Sequence, residues 1–241
     1  MWSVTGISLF TSLRKRQRPQ LDYLSTLVSN FLHDNLALSQ FTRLRPFRYQ
    51  ISRWELDAYS FLLAEKWIEE AGLHYAYYVS HIAPPHLQMF IPPRVPVEYV
   101  LTNKRFSGDV SGIIGEALYL AYIEKVLGLE INNTLHLRPY EGLTKKSTMS
   151  MADFYSISTK LLTINSIRLP PNSIIIGEAK AFTTPTSADI KERIQKSFQQ
   201  IECTSQLLSR LGSPSSLAII SLALRDCERT TYKQFVLIVE V

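Results

Sequence analysis

The stretch Ser173-Ile174-Ile175-Ile176-Gly177-Glu178-Ala179-Lys180-Ala181-Phe182 ends a run of apolar residues with an acid and a base two positions apart. Three consecutive isoleucines are β-branched and suit a strand buried on both faces, as at the centre of an α/β sheet. Side chains alternate along a strand, so Glu178 and Lys180 leave one face about 7 Å apart while Ala179 turns to the other. Charges at the end of a buried strand are costly unless something compensates them. A divalent metal on the carboxylate, with the ammonium aimed at a phosphate or a water, is one compensation; a surface ion pair at a strand end is the plainer one.

Downstream, residues 183–187 make a turn, and Ser187 can cap a helix over 188–211 with Ile190, Ile194, Phe198, Ile201, Leu208 and Leu211 as its core stripe. Gly212-Ser213-Pro214 stops it, and two strands follow over 217–224 and 235–241, joined by a charged turn. Upstream, residues 165–172 with Pro170-Pro171 form a turn or loop, and 151–163 read as a strand with Asp153 at its beginning. A polar loop over 139–150 carries Lys145 and Lys146, and 134–138 is a candidate strand. Before it, Ser107 or Ser111 can cap a largely buried helix that runs to about residue 127, with Gly128 just past its end. Glu116 sits in its first turns between Gly115 and Ala117, where it either answers the helix N-terminus or points into a site.

The first hundred residues read as a mainly helical N-terminal extension, residues 1–105, ahead of a core over 106–241. Residues 1–20 read as a poorly ordered start ending in a basic cluster, Arg14, Lys15, Arg16 and Arg18. Leu24, Leu27, Val28, Phe31 and Leu32 predict a helix over 21–38, and a second spans 54–71. Between the two, Arg43, Arg45, Arg48 and Arg53 interleave with Phe41, Phe47, Tyr49 and Trp54. That mixture suits nucleic acid, and equally suits a helix connection with aromatics in the core and arginines in water. Five prolines between His74 and Arg105 argue against any long helix and for short edge strands or a winding connection. His74, His81 and His86 have no carboxylate or cysteine at ligand spacing and read as ordinary histidines.

Hydrophobic residues at 46% and charged residues at 20% of 241 describe an ordinary globular chain, and a formal charge of +5 permits a polyanionic partner without demanding one. Two cysteines make neither a disulfide framework nor a zinc or iron–sulfur cluster, and no apolar stretch reaches membrane-spanning length, so a soluble cytoplasmic protein is expected. The nucleophile elbow, the phosphate-cradling loop and the dinucleotide fingerprint are all absent.

From residue 107 onward the order is helix, strand, strand, strand, helix, strand, strand, which calls for an α/β layer with a mixed central sheet. Glu116 falls on the first helix, Asp153 on the second strand and Glu178-Ala179-Lys180 on the third. In this the chain resembles the PD-(D/E)XK nuclease superfamily, the restriction-endonuclease-like fold that includes archaeal Holliday junction resolvases and many viral nucleases. The likeness covers about residues 107–211. A second acid-x-Lys triplet, Asp189-Ile190-Lys191, opens a helix with no strand before it, so the weight rests on the order of elements, not on the triplet.

The resemblance implies a Mg²⁺-dependent deoxyribonuclease, with Mn²⁺ as a possible substitute, that acts on DNA, including branched or junction DNA, as a homodimer. It implies that Asp153, Glu178 and the Ala179 carbonyl ligate the metal, that Glu116 holds a second ion or a metal-bound water, and that Lys180 positions the attacking water. Some members carry a helical Gln after the triplet, which points to Gln199, with Gln195 one turn away and Gln200 beside it. Arg43, Arg45, Arg48, Lys145 and Lys146 are the expected nucleic-acid contacts. A non-catalytic DNA-binding protein using the basic N-terminal region is the alternative, and an assembly protein with no nucleic-acid role a third. One geometric difficulty stands out. In a simple hairpin Asp153 meets Glu178 only with a turn at Asn165-Ser166, which places Pro170-Pro171 inside the returning strand, so an irregular insertion or a bend is expected.

Overall fold

Runs such as Leu217-Ala-Ile-Ile-Ser-Leu-Ala-Leu224 and Phe235-Val-Leu-Ile-Val239 are apolar at consecutive positions, so a strand made from either must be covered on both faces. The computed structural model describes residues 2–12, 21–33, 44–52, 55–56, 58–59, 104–137, 151–164, 167–182, 185–226 and 231–241. In it these runs are paired neighbours inside a seven-stranded mixed sheet. The strands are β1 (Trp2–Ser12), β2 (Leu44–Ile51), β3 (Thr134–His136), β4 (Phe154–Ile157), β7 (Ile174–Phe182), β8 (Leu217–Asp226) and β9 (Thr231–Glu240), in the order β2-β1-β9-β8-β7-β4-β3. The pairs β1–β9 and β7–β8 are parallel and the remaining pairs antiparallel. A separate two-stranded ladder joins β5 (Leu162–Ile164) to β6 (Ile167–Leu169).

Strand alternation divides the core in two. Ile175, Ile219, Val236 and Ile238 pack with helix α2 (Lys104–Lys125) on one face. On the other, Ile176, Ala218, Ile220 and Leu237 pack with α1 (Leu21–Leu32) and α3 (Ser187–Arg210). Helix α2 is registered on the sheet by a buried polar junction: Gln234 Nε2 donates to Leu118 O (3.2 Å) and Ser221 Oγ (2.8 Å), and Tyr49 OH donates to Gln234 Oε1 (2.8 Å). No helix among the described residues is long and apolar enough to cross a membrane.

The expected mainly helical N-terminal extension is overturned. The chain begins with a strand, β1, that lies between β2 and β9 and pairs with β9 along ten residues, from Ser3 with Thr231 to Ser12 with Glu240. Residues 2–12 are thus no loose start: Val4 and Ile7 are fully buried, one in each core. Residues 44–51 of the arginine- and aromatic-rich stretch form β2 instead of a helix connection, with Leu44, Tyr49 and Ile51 buried and Arg45 and Arg48 exposed. Helix α1 holds the predicted stripe. Residues 55, 56, 58 and 59 are helical, while the rest of the second predicted helix, the proline-rich connection with its three histidines, and the loop with Lys145 and Lys146 lie outside the described residues.

The hairpin difficulty resolves without an inserted residue. Ile157 pairs with Ile174 in the main sheet, and five residues further along each strand Leu162 pairs with Leu169, in unbroken register. Between the ladders, Ser158 and Lys160 on one side face Pro170, Pro171 and Asn172 on the other. There Asn172 takes a positive φ of 66° and donates to Ser158 O, and Ser158 N donates to Ser173 O. The prolines fall in the gap between two ladders, where no ladder donor is required of them. Helix α3 begins one residue earlier than expected: Thr186, not Ser187, is its cap, in a reciprocal capping box with Asp189.

Candidate metal centre

The continuous register places Asp153 opposite Glu178, one step beyond the Phe154–Gly177 pair. Each carboxylate takes the next available backbone donor of the other strand. Asp153 N donates to Glu178 Oε2 (3.1 Å), and Ala179 N donates to Asp153 Oδ2 (2.9 Å). Asp153 O also accepts from Leu137 N, which ties the end of β3 to the same point. Both acids are buried, Asp153 at 3% and Glu178 at 0% exposure. The sheet thus ends its β4–β7 pairing by turning ladder hydrogen bonds over to two side chains.

Close approach of α2 delivers Glu116. A Cβ placed on Gly115 would stand 3.1 Å from Ala181 Cβ and 3.2 Å from Ala181 N, so the absence of a side chain lets the helix lie on β7 beside the charged pair. One turn on, Tyr119 crosses the sheet where Gly177 leaves room, since a Cβ there would meet its hydroxyl at 2.1 Å. Its ring stacks on Phe154 at 4.7 Å. Glu116, 4% exposed, meets a residue that sequence reasoning passed over, His136 on edge strand β3. His136 Nε2 is 3.3 Å from Glu116 Oε2. Donor atoms of Glu116, His136 and Asp153 all lie within 4.8 Å of one another.

Lys180 forms an ion pair with Glu178 Oε1 and keeps partial access to solvent. Strand geometry alone separates the two residues; the long lysine side chain folds back to close the distance. Burial, and after it the negative charge of Asp153, raises the pKa of Glu178 well above the ordinary carboxylate value, with Lys180 and the Asp153 N–H acting the other way. The pair is not a surface ion pair, because its acid is wholly enclosed.

Helix α3 holds the lead into the site from the opposite face. Ala152 N donates to Thr204 Oγ1 (2.8 Å), Thr204 Oγ1 donates to Gln200 O (2.9 Å), and Gln200 Nε2 donates to Met151 O (2.9 Å). Gln200 is therefore the glutamine of this helix that reaches the residues leading into β4, whereas Gln195 and Gln199 are exposed. Arg45 and Arg48 stand on edge strand β2, five strand positions from β4, about 24 Å at ordinary spacing. Arg43, Lys145 and Lys146 lie outside the described residues.

The donor set could hold a metal ion. Two carboxylates and an imidazole, all buried, converge from helix α2, edge strand β3 and the residue just before β4, and enclosed oxygen and nitrogen donors of this kind are what metal ions bind. Glu178 stands beside this group with its oxygens engaged by Lys180 and Asp153 N. Among known proteins, no family model, no curated protein and no solved structure matches this chain.

Proposed function

We propose that the chain is a metal-dependent nuclease that hydrolyses phosphodiester bonds in DNA, with a site like that of the PD-(D/E)XK superfamily. The observation that carries this reading is the juxtaposition of Asp153 and Glu178 across adjacent strands, with Glu116 brought against Asp153 and Lys180 against Glu178. A resident divalent cation, when bound, supplies Lewis-acid polarisation of a phosphoryl oxygen and a water of lowered pKa. Glu116 and Asp153 would hold it, with Glu178 and the Ala179 carbonyl adjoining. Lys180 presents a partly exposed ammonium, anchored by a buried acid, to the place where a phosphate's charge must be met. The backbone donors of Asp153 and Ala179 fix both carboxylates before substrate arrives, so little reorganisation is left for the reaction.

Cleavage of labelled plasmid and junction DNA with Mg²⁺ or Mn²⁺ tests this. The parent is expected to cut and Lys180→Ala to lose on the order of 10²- to 10³-fold in rate while still binding DNA. A second reading, DNA binding without cleavage, draws on the exposed arginines of β2. Salt-sensitive DNA binding by the parent with no cleavage under either metal would favour it.

A further inference from the structure

The three converging donors are not all oxygen. His136 brings an imidazole nitrogen to two carboxylates, with Nε2 3.3 Å from Glu116 Oε2. Neighbouring donors on a cation with bonds of about 2.1 Å sit roughly 3 Å apart, so this spacing is close to what one ion would impose. The imidazole is fixed in place. His136 pairs with Phe154 across β3 and β4, its ring meets the Phe154 ring edge-on at 5.1 Å, and it is 2% exposed. Mg²⁺ selects oxygen donors and gives up its waters reluctantly, whereas imidazole suits first-row transition metals and carboxylates suit Mn²⁺.

We propose that Glu116, His136 and Asp153 form a mixed nitrogen–oxygen site selective for a first-row transition dication over Mg²⁺, with His136 as a direct ligand. The proposal rests on the reading of this cluster as a metal centre and is independent of whether the chain cuts DNA. It departs from the all-oxygen, Mg²⁺ site that the Asp153, Glu178 and Ala179 carbonyl set would make. Helix α2, edge strand β3 and the residue just before β4 each contribute one donor, so the site exists only in the folded chain.

Mn²⁺ binding followed by electron paramagnetic resonance, with Mg²⁺ as competitor and no nucleic acid present, tests it on the intact chain. The parent is expected to bind Mn²⁺ at least about tenfold more tightly than Mg²⁺ and to show nitrogen coupling from a bound imidazole. His136→Gln, and His136→Asp, which restores an all-oxygen set, are expected to lose the coupling and to narrow the preference. Equal binding of the two metals by the parent, Mn²⁺ bound without nitrogen coupling, coupling that persists in His136→Gln, or no binding of either metal overturns the proposal. The parent's own spectrum decides even if a variant fails to fold. Nitrogen-coupled Mn²⁺ on a protein that cuts no DNA leaves this site standing and removes the nuclease reading; cleavage with no nitrogen coupling does the reverse.

Discussion

At the scale of single residues, Gly177 is the most constrained position near the site. Any side chain there must displace the Tyr119 hydroxyl, which a Cβ would meet at 2.1 Å, and Tyr119 is wedged against Phe154. Gly177→Ala is therefore expected to cost about 1–3 kcal/mol, read as a lower denaturation midpoint at unchanged slope. The acid–base pair Glu178 and Lys180 was legible from the isoleucine run before it, and Asp153 and Glu116 from their order. His136 was not, because its partners stand on other elements, at positions 116 and 153, where spacing rules do not reach. Its own segment would not have shown it either, because strand alternation read from the sequence turns Leu135 inward and His136 outward. In Thr134-Leu135-His136 the usual alternation is inverted: Leu135 is 47% exposed while Thr134 and His136 are buried. An edge strand that turns its polar residues inward has a polar interior to serve, and here Thr134 Oγ1 meets Ser156 Oγ at 2.9 Å and His136 meets Glu116.

At the scale of elements, the clamp between α3 and residues 151–152 makes a separable prediction. Thr204→Val keeps the shape and removes the acceptor of the buried Ala152 N–H, so a loss of about 1–3 kcal/mol is expected from chemical denaturation. Asp153 follows at once, so if the chain is the nuclease proposed, the same variant is expected to lower the rate of cleavage more than DNA binding. A second element-scale contact joins the end of α2 to the helical residue Glu55 after β2, where Lys125 pairs with Glu55 and Glu55 forms a capping box with Ser52. The Lys125 ammonium, then the Ser52 N–H, lower the Glu55 pKa from 4.5 to about 2. A folded-state pKa below the unfolded one stabilises at pH above about 4.5 and is lost as pH falls towards 2. Glu55→Gln should flatten that acid limb, and at pH 7 should cost no more than about 1 kcal/mol because the pair is largely in water. Helix α3 and strands β7 and β8 were legible because isoleucine runs and a helical stripe are local signals. Strand β1 was not, because its partner β9 lies at the other end of the chain and the basic cluster after it resembled a tail.

For the whole molecule, the position of β1 between β2 and β9 means that the first described residues of the chain join edge strand β2 to the rest of the sheet. Removing residues 2–12 exposes the side of β9 and both cores at once, so the truncated chain is expected to lose cooperative unfolding, checked by circular dichroism and thermal melting. A dispensable tail would leave the melt unchanged. The same sheet gathers the candidate metal donors at its β3–β4–β7 side and leaves Arg45 and Arg48 at the opposite edge, so under the proposed nuclease function any contact of these arginines with an extended polyanion would lie the breadth of the sheet from the site. That separation predicts that Arg45→Ala with Arg48→Ala weakens DNA binding and lessens its salt dependence with little change in the rate of the bound complex. The proposed function makes the Asp153–Glu178 junction a hydrolytic metal site. Nicking of supercoiled plasmid as a function of added Mn²⁺ and Mg²⁺, for the parent and for a folded Asp153→Asn, tests it most directly. Metal-dependent nicking by the parent that disappears in Asp153→Asn is the predicted result; nicking that persists in Asp153→Asn, or a parent that cuts under neither metal, would contradict it.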